Sequence, residues 1–285
     1  MAVGLQRNGS DPRAFRAKVR SSSDEVCMIG AIAGDIIGSV YERHYITTTE
    51  FPLFDPRCRF TDDTVLTVAV ADAILTGSDY GAKLKEWYRL YSGRDFGGGF
   101  KKWAAHDSLE PRSSMGNGSA MRVSPIGFAF DTLETVLEEA RRSAEASHNH
   151  PEGIKGAQAV AAAGFLARKK ASKTEIKAYI VDVFGYDLDQ GLEYIRRHNR
   201  PDVTCAGSVP QAITAFLLSE DYEDAVRKAV SMGGDADTVA CMAGGIAEAC
   251  YGNVPERIAE TATRVLDNRL QNVVREFKLR FHMLR

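Results

Sequence analysis

The chain has 285 residues, with 36 basic and 38 acidic side chains and a formal net charge of −2. That length can bury a substantial core, and the near balance of charge excludes a general nucleic-acid binder. Hydrophobic residues at 44% and charged residues at 26% give the balance of a soluble globular protein.

In chain order, residues 1–25 are polar and carry several arginines, as a flexible leader does. Asp11, Asp24 and Glu25 do not suit a transit peptide. The longest apolar run, "VCMIGAIAGDIIGSVY" at 26–41, is interrupted by Asp35. It is too short and too polar to span a membrane, and it starts too late for a signal peptide. Its helical pattern puts Gly30, Gly34 and Gly38 on one face, open to close approach by another helix. Asp35 and Glu42, seven residues apart, project from nearly the same face of a helix that reaches Glu42. Glycine packing does not account for those two acids.

"FTDDTVLTVAVADAILTG" at 60–77 opens a strongly apolar helix with Asp62 and Asp63, flanked by Thr61 and Thr64. A loop at 91–114 is rich in glycine and aromatics. There Asp95 would engage a cation, and Phe100 and Trp103 would stack on a ring or pack. In "SSMGNGSAMRVSP" at 113–125, Gly116, Asn117 and Gly118 form a flexible turn, and Ser119 and Ala120 start a short helix. The free N–H groups of such a turn make an anion site that fits a diphosphate. Arg122 would pair with phosphate or serve the structure.

Further on, Asp131 and Glu134 have capping-box spacing before a helix that runs to His148. His148 is either a helix-end residue or a hydrogen-bond donor to phosphate or ribose. "GAQAVAAAGFLARKK" is helical, Ser172 with Glu175 and Ser208 with Gln211 repeat the capping spacing, and residues from Pro255 to about 284 are helical again. "MGGDADTVACMAGGIAEACYG" at 232–252 opens with Asp235, Asp237 and Thr238. Alternating strand patterns are nearly absent, so one all-α domain over 26–285 is expected. The five cysteines include no CxxC pair and read as buried free thiols in a reducing, cytoplasmic compartment.

A lone acid at a helix start most often caps it. Here each of the two stretches carries two acids and an adjacent threonine, where a cap needs only one. Facing each other, with Glu42 nearby, they would gather five carboxylates that repel or take up protons. Two divalent cations would cancel about four of those charges. An all-oxygen set favours Mg²⁺ or Mn²⁺ over Zn²⁺.

"GAIAGDIIGSVYE", "FTDDT", "GNGSAMR", "SHNHPEG" and "GGDADT…AGGIAEACYG" together resemble the ADP-ribosylglycohydrolase family in order and spacing, over about residues 26–275. The resemblance implies a compact all-α fold with a two-metal cleft. It assigns Thr61, Asp62, Asp63, Asp235, Asp237 and Thr238 to the metals, Asp63 also to catalysis, and Glu42 to a catalytic or metal-linked glutamate. It matches Gly116, Asn117, Gly118, Ser119 and Ala120 to a diphosphate loop, His148 to a ligand contact, and Asp35 to a "GD" motif. The implied reaction is hydrolysis at C1″ of the distal ribose of ADP-ribose, on a modified protein or a small conjugate. The implied enzyme is a monomer, and nucleic acid enters only as a modified substrate.

The first choice of acceptor is arginine; serine, polymer and small derivatives remain alternatives, with Asp95, Phe100 and Trp103 in the candidate substrate loop. Rival classes are a two-metal phosphatase, an inactive ADP-ribose-binding module and a crystallin-like structural protein. A phosphatase makes no use of a GNG loop between the two acid stretches. The two non-enzyme readings predict missing metal ligands, whereas this chain carries the full set.

Overall fold

The structure, a computed structural model, describes residues 28–198 and 202–282. Its helices are α1 (Ile29–Gly38), α2 (Asp62–Thr76), α3 (Tyr80–Leu90), α4 (Gly98–Ala105), α5 (Ser124–Ala129), α6 (Leu133–His148) and α7 (Pro151–Arg168). They continue with α8 (Lys173–Phe184), α9 (Leu192–His198), α10 (Cys205–Leu217), α11 (Tyr222–Ser231), α12 (Ala236–Tyr251), α13 (Glu256–Val265) and α14 (Asn268–His282). No β-strand occurs among the described residues, as the missing alternation leads one to expect. No described helix is long and apolar enough to cross a membrane. The proposed leader at 1–25 and Cys27 lie outside the described residues; Cys205 and Cys241 are buried free thiols as expected, whereas the free thiols Cys58 and Cys250 are only part-buried.

α12 is buried from Ala236 to Ala249 and packs against α1, α7, α10 and α11. α1 is buried along its whole length, because it is apolar on nearly every side. The glycine row lets these two helices touch backbone to backbone. A Cβ on Gly34 would lie 2.1 Å from the Ala240 carbonyl oxygen, and one on Gly38 would lie 2.5 Å from Asp237 Cα. On the facing helix, a Cβ on Gly244 would lie 2.3 Å from the Gly30 carbonyl oxygen. Glu248 of α12 accepts the Gly30 amide at 3.0 Å, which anchors the first turn of α1. The packing also draws the end of α1 against the start of α12, where the acids stand.

Gly34→Ala is therefore expected to destabilise the protein by about 3 kcal/mol or more, at or beyond the upper end for overpacking, because the clash is with backbone. Gly98→Ala, at the exposed start of α4 with open space around it, is the matched control. Urea unfolding of both variants checks this; equal midpoints would show that α1 and α12 can separate freely.

Three helix starts and ends differ from expectation. Thr132, not Asp131, caps α6, accepting from the Thr135 amide. α10 begins at Cys205 with Thr204 as its cap, which leaves Ser208 inside the helix. The capping box of Ser172 and Glu175 is present as read. α1 stops at Gly38: Ser39 Oγ donates to the Ile36 carbonyl at 2.8 Å and the Tyr41 amide bonds Gly38 at 2.8 Å. Glu42 thus sits in the turn that follows and shares no helix face with Asp35.

Candidate active site

The first turn of α2 is held by its threonines. Thr61 caps the helix, its hydroxyl accepting the Asp63 amide at 3.2 Å. Asp35, fully buried in α1, accepts the Thr61 amide at 3.0 Å, the Thr61 hydroxyl at 2.7 Å and the Thr64 amide at 3.1 Å. It accepts the Thr64 hydroxyl as well. Asp35 therefore braces the start of α2, and neither Asp62 nor Asp63 acts as its cap. At α12, Asp235 occupies the cap position without a capping bond. Its carboxylate instead accepts Asn117 Nδ2 at 2.6 Å, and Asn117 Nδ2 also lies 2.9 Å from Ser208 Oγ.

The two helix starts meet. Asp35, Asp63 and Asp237, all buried, each bring one carboxylate oxygen to within 4.8 Å of the others. Thr61 Oγ1 and Thr238 Oγ1 each lie 3.3 Å from Asp63 Oδ2. Asp63 Oδ1 is buried with no hydrogen-bond partner among the described residues. Burial, and then the negative charge of Asp35, hold Asp63 well above the usual carboxylate range; burial, and then Asp63, do the same to Asp237. Asp62 is pushed up to about 7, by burial first and Asp35 second. Among the described residues no Lys or Arg forms an ion pair with Asp35, Asp62, Asp63, Asp235 or Asp237.

An oxygen without a partner among crowded, unpaired acids is the environment that a hard divalent cation relieves. The residues therefore fit divalent metal. The sequence pattern pointed to five acids; the closest group contains a sixth, Asp35.

Raised carboxylate pKa values fix the sign of a pH effect. In the metal-free protein these acids bind more protons folded than unfolded between about pH 4, the unfolded value, and about pH 7, the value for Asp62. Their contribution to stability is thus lost as pH rises through that window. Cation binding needs the charged form and so gains over the same window. The rise in melting temperature on adding Mg²⁺ or Mn²⁺ should therefore be larger at pH 8 than at pH 5.5. A calorimetric scan at both pH values checks it; an equal rise at both would remove these acids from the site.

A cleft of about 370 Å³ opens over this centre, bounded by Glu42, Asp62, Asp63, Asp235, Asp237 and Thr238 on one side. Glu42 is half-buried there, with its pKa raised by burial and then by Asp235. The other side is built by Gly116, Asn117, Gly118 and His148. Residues Asn117–Ser119 form one 3-10 turn, pinned by the Asn117 amide on the Val203 carbonyl at 2.8 Å. Gly116 and Gly118 have no left-handed backbone. They are small because His148 lies on them: a Cβ on Gly118 would stand 3.1 Å from His148 Nε2.

Ser119, the last residue of this turn, and Ala120 after it are fully buried and do not line the cleft. The Ser119 hydroxyl donates to the Gly153 carbonyl at 2.7 Å and so ties the turn to α7. Arg122 is fully buried as well, donating to the Ser143 carbonyl at 2.6 Å, away from solvent and from the cleft lining.

The substrate-loop residues divide. Asp95 and Phe100 reach the cleft, Asp95 with Arg59 at 3.2 Å and Phe100 stacked on Phe96 at 5.5 Å between ring centroids. Trp103 packs instead, donating to the Glu110 carbonyl at 2.9 Å. The buried Lys85 holds it there, with Nζ 4.1 Å over its ring and 2.6 Å from the His106 carbonyl. Arg112 joins the cleft wall against Gly99, a cation that the sequence pattern did not single out. Its only signal was its place just before the GNG turn.

The family profile described as ADP-ribosylglycohydrolase matches residues 14–283. The chain is 28% identical to ADP-ribosylhydrolase ARH3 of Mus musculus, over 88% of this chain and 91% of that protein. It is 27% identical to the ADP-ribosylarginine hydrolase Tri1 of Pseudomonas putida, over 79% of this chain and 69% of that protein. Among solved structures, an ADP-ribosylglycohydrolase-related protein complex matches with a TM-score of 0.68 at 25% identity, covering 88% of this chain and 95% of that one.

Proposed function

This chain belongs to the ADP-ribosylglycohydrolase family and is a hydrolase of ADP-ribose glycosidic bonds, and on that premise we propose that it frees arginine side chains of proteins from ADP-ribose. The observation that carries the choice of acceptor is the acidic rim: Glu42 and Asp95 border the cleft beside the buried carboxylates, a surface complementary to a guanidinium.

In this reading Thr61, Asp62, Asp63, Asp235, Asp237 and Thr238 hold two Mg²⁺ or Mn²⁺ ions, with Asp35 bracing the group. Such ions, when bound, polarise ribose hydroxyls and lower the pKa of a coordinated water. The backbone of Gly116–Gly118, with His148 and Arg112, grips the diphosphate, and this remote binding places the distal ribose over the acids. Asp63 stabilises positive charge developing at C1″. Glu42, its proton affinity raised, takes a proton from the attacking water and returns one to the leaving nitrogen. Phe100 closes the acceptor side against bulk water. The four free thiols suit a cytoplasmic enzyme, acting as a monomer on modified protein.

The Arg59–Asp95 pair at 3.2 Å favours a second reading, an uncharged acceptor such as serine, because it neutralises half of the acidic rim. A panel of arginine-, serine- and polymer-linked ADP-ribose, supplied with Mg²⁺ or Mn²⁺, tests the choice through the rate of ADP-ribose release. Preferred release from arginine supports the first reading, and preferred release from serine the second. Release from neither at a useful rate would move the substrate to small conjugates.

A further inference from the structure

Arg122 is a large charged side chain with no solvent exposure and no carboxylate in ion-pair contact among the described residues. Burying such a group is costly unless its charge and its donors are used. Burial pulls its pKa down to about 9, which leaves it protonated at neutral pH. Its Nη2 donates to the Ser143 carbonyl at 2.6 Å and to Ser147 Oγ at 3.0 Å, while Nε and Nη1 have no hydrogen-bond partner among the described residues. Ser147, also fully buried, has Oγ 2.8 Å from His148 Nδ1.

These contacts carry a direction. A guanidinium only donates, so Ser147 Oγ must accept from Arg122. The one hydroxyl proton of Ser147 then has His148 Nδ1 as its only remaining neighbour within hydrogen-bond reach among the described residues. With the proton on Nδ1 instead, the Ser147 hydroxyl would be a buried donor without an acceptor, which costs about 1–3 kcal/mol. A second ring proton is disfavoured by burial first and by the Arg122 and Arg112 charges next, so the imidazole stays neutral. A neutral ring that accepts at Nδ1 carries its proton on Nε2. Nε2 is the edge that lies on Gly116 and Gly118, in the cleft wall, and it has no partner among the described residues.

We propose that Arg122 and Ser147 are positioning residues that set the tautomer of His148, so that the ring presents an N–H donor at Nε2 to an oxygen of the ligand gripped by the Gly116–Gly118 turn. The inference rests on the functional reading only for the identity of that ligand, ADP-ribose. Arg122 acts at one remove: it donates to Ser147, Ser147 donates to the ring, and the ring donates to the ligand. Its buried charge also keeps a second proton off the ring. A phosphate oxygen is a good acceptor for such a donor, and charge on the acceptor strengthens the bond.

The test starts from the wild-type protein without substrate. Two-bond ¹H–¹⁵N correlation of His148, assigned by its loss in His148→Asn, should show a protonated Nε2 and a bare Nδ1 from pH 6 to pH 8. A protonated Nδ1 would overturn the proposal. Ser147→Ala should give a tautomer mixture and weaken ADP-ribose binding by about tenfold in calorimetry, the loss of roughly one charge-assisted hydrogen bond. It should change kcat at saturating substrate less than it changes Kd, and Ser147→Thr should restore both tautomer and affinity. Arg122→Met should reproduce the tautomer mixture. An unchanged tautomer and unchanged affinity in Ser147→Ala would likewise overturn the relay. Absence of ADP-ribose binding by the wild type would instead overturn the functional reading, because the tautomer is read without any ligand.

Discussion

An Asp63→Asn variant is expected to lose turnover by about three orders of magnitude or more, while its metal-free form melts at a higher temperature than the wild type. The two effects have one origin. Asp63 is buried, crowded by Asp35 and Asp62, and holds an oxygen that has no hydrogen-bond partner among the described residues. Without metal the charged form of that side chain is a cost to the folded state, which an amide of the same shape removes. In the proposed metal centre the same oxygen would be a ligand, and an asparagine carbonyl would be a weaker one. Bound metal and its water would supply several kcal/mol of transition-state stabilisation, at about 1.4 kcal/mol per decade of rate. Capping does not enter, because Thr61 caps α2 and remains in place. Elemental analysis, kcat, and melting curves in EDTA decide. A variant with wild-type metal content and wild-type rate would remove Asp63 from the chemistry.

Glu42→Gln should lower kcat by about two to four orders of magnitude, the range for loss of a general acid or base. Affinity for ADP-ribose should fall far less, since glutamine keeps the size of the side chain and one carbonyl oxygen. Stability should hardly move, because Glu42 is half-buried and lies in a turn beyond the end of α1. The pH–rate profile should lose one limb. That limb should lie above the ordinary glutamate range in the wild type, since burial and then Asp235 raise this pKa. Rate, metal content and binding falling together would make Glu42 chiefly a ligand. An unchanged rate would make it a bystander.

Much of the molecule is legible in the amino-acid sequence. Helical periodicity and the lack of alternation depend on neighbours two to four residues apart, so the all-α class and most helices could be read directly. The capping box at Ser172 and Glu175 is equally local, and it is there. Local signals misled where two cap residues compete: Thr132 displaced Asp131, and Thr204 displaced Ser208. The glycine row of α1 announced close helix packing, and the structure supplies the partner, α12.

By itself, then, the sequence determined the helical class, the two acid-bearing helix starts, the GNG turn and the family. These are properties of residue type and short spacing, which need no folding to be read. What the acids do was decided only by tertiary structure. Asp35 meets Thr61 across 26 residues of chain, Asn117 meets Asp235 across 118, and Thr238 meets Asp63 across 175. No local pattern specifies which oxygens accept a bond and which stay open over such separations. The same closure turned Trp103 into the packing and left Phe100 in the cleft, placed Arg112 in its wall, and put Arg122 behind His148. Side-chain direction depends on what packs against each residue, and at these positions the packing comes from helices distant in sequence.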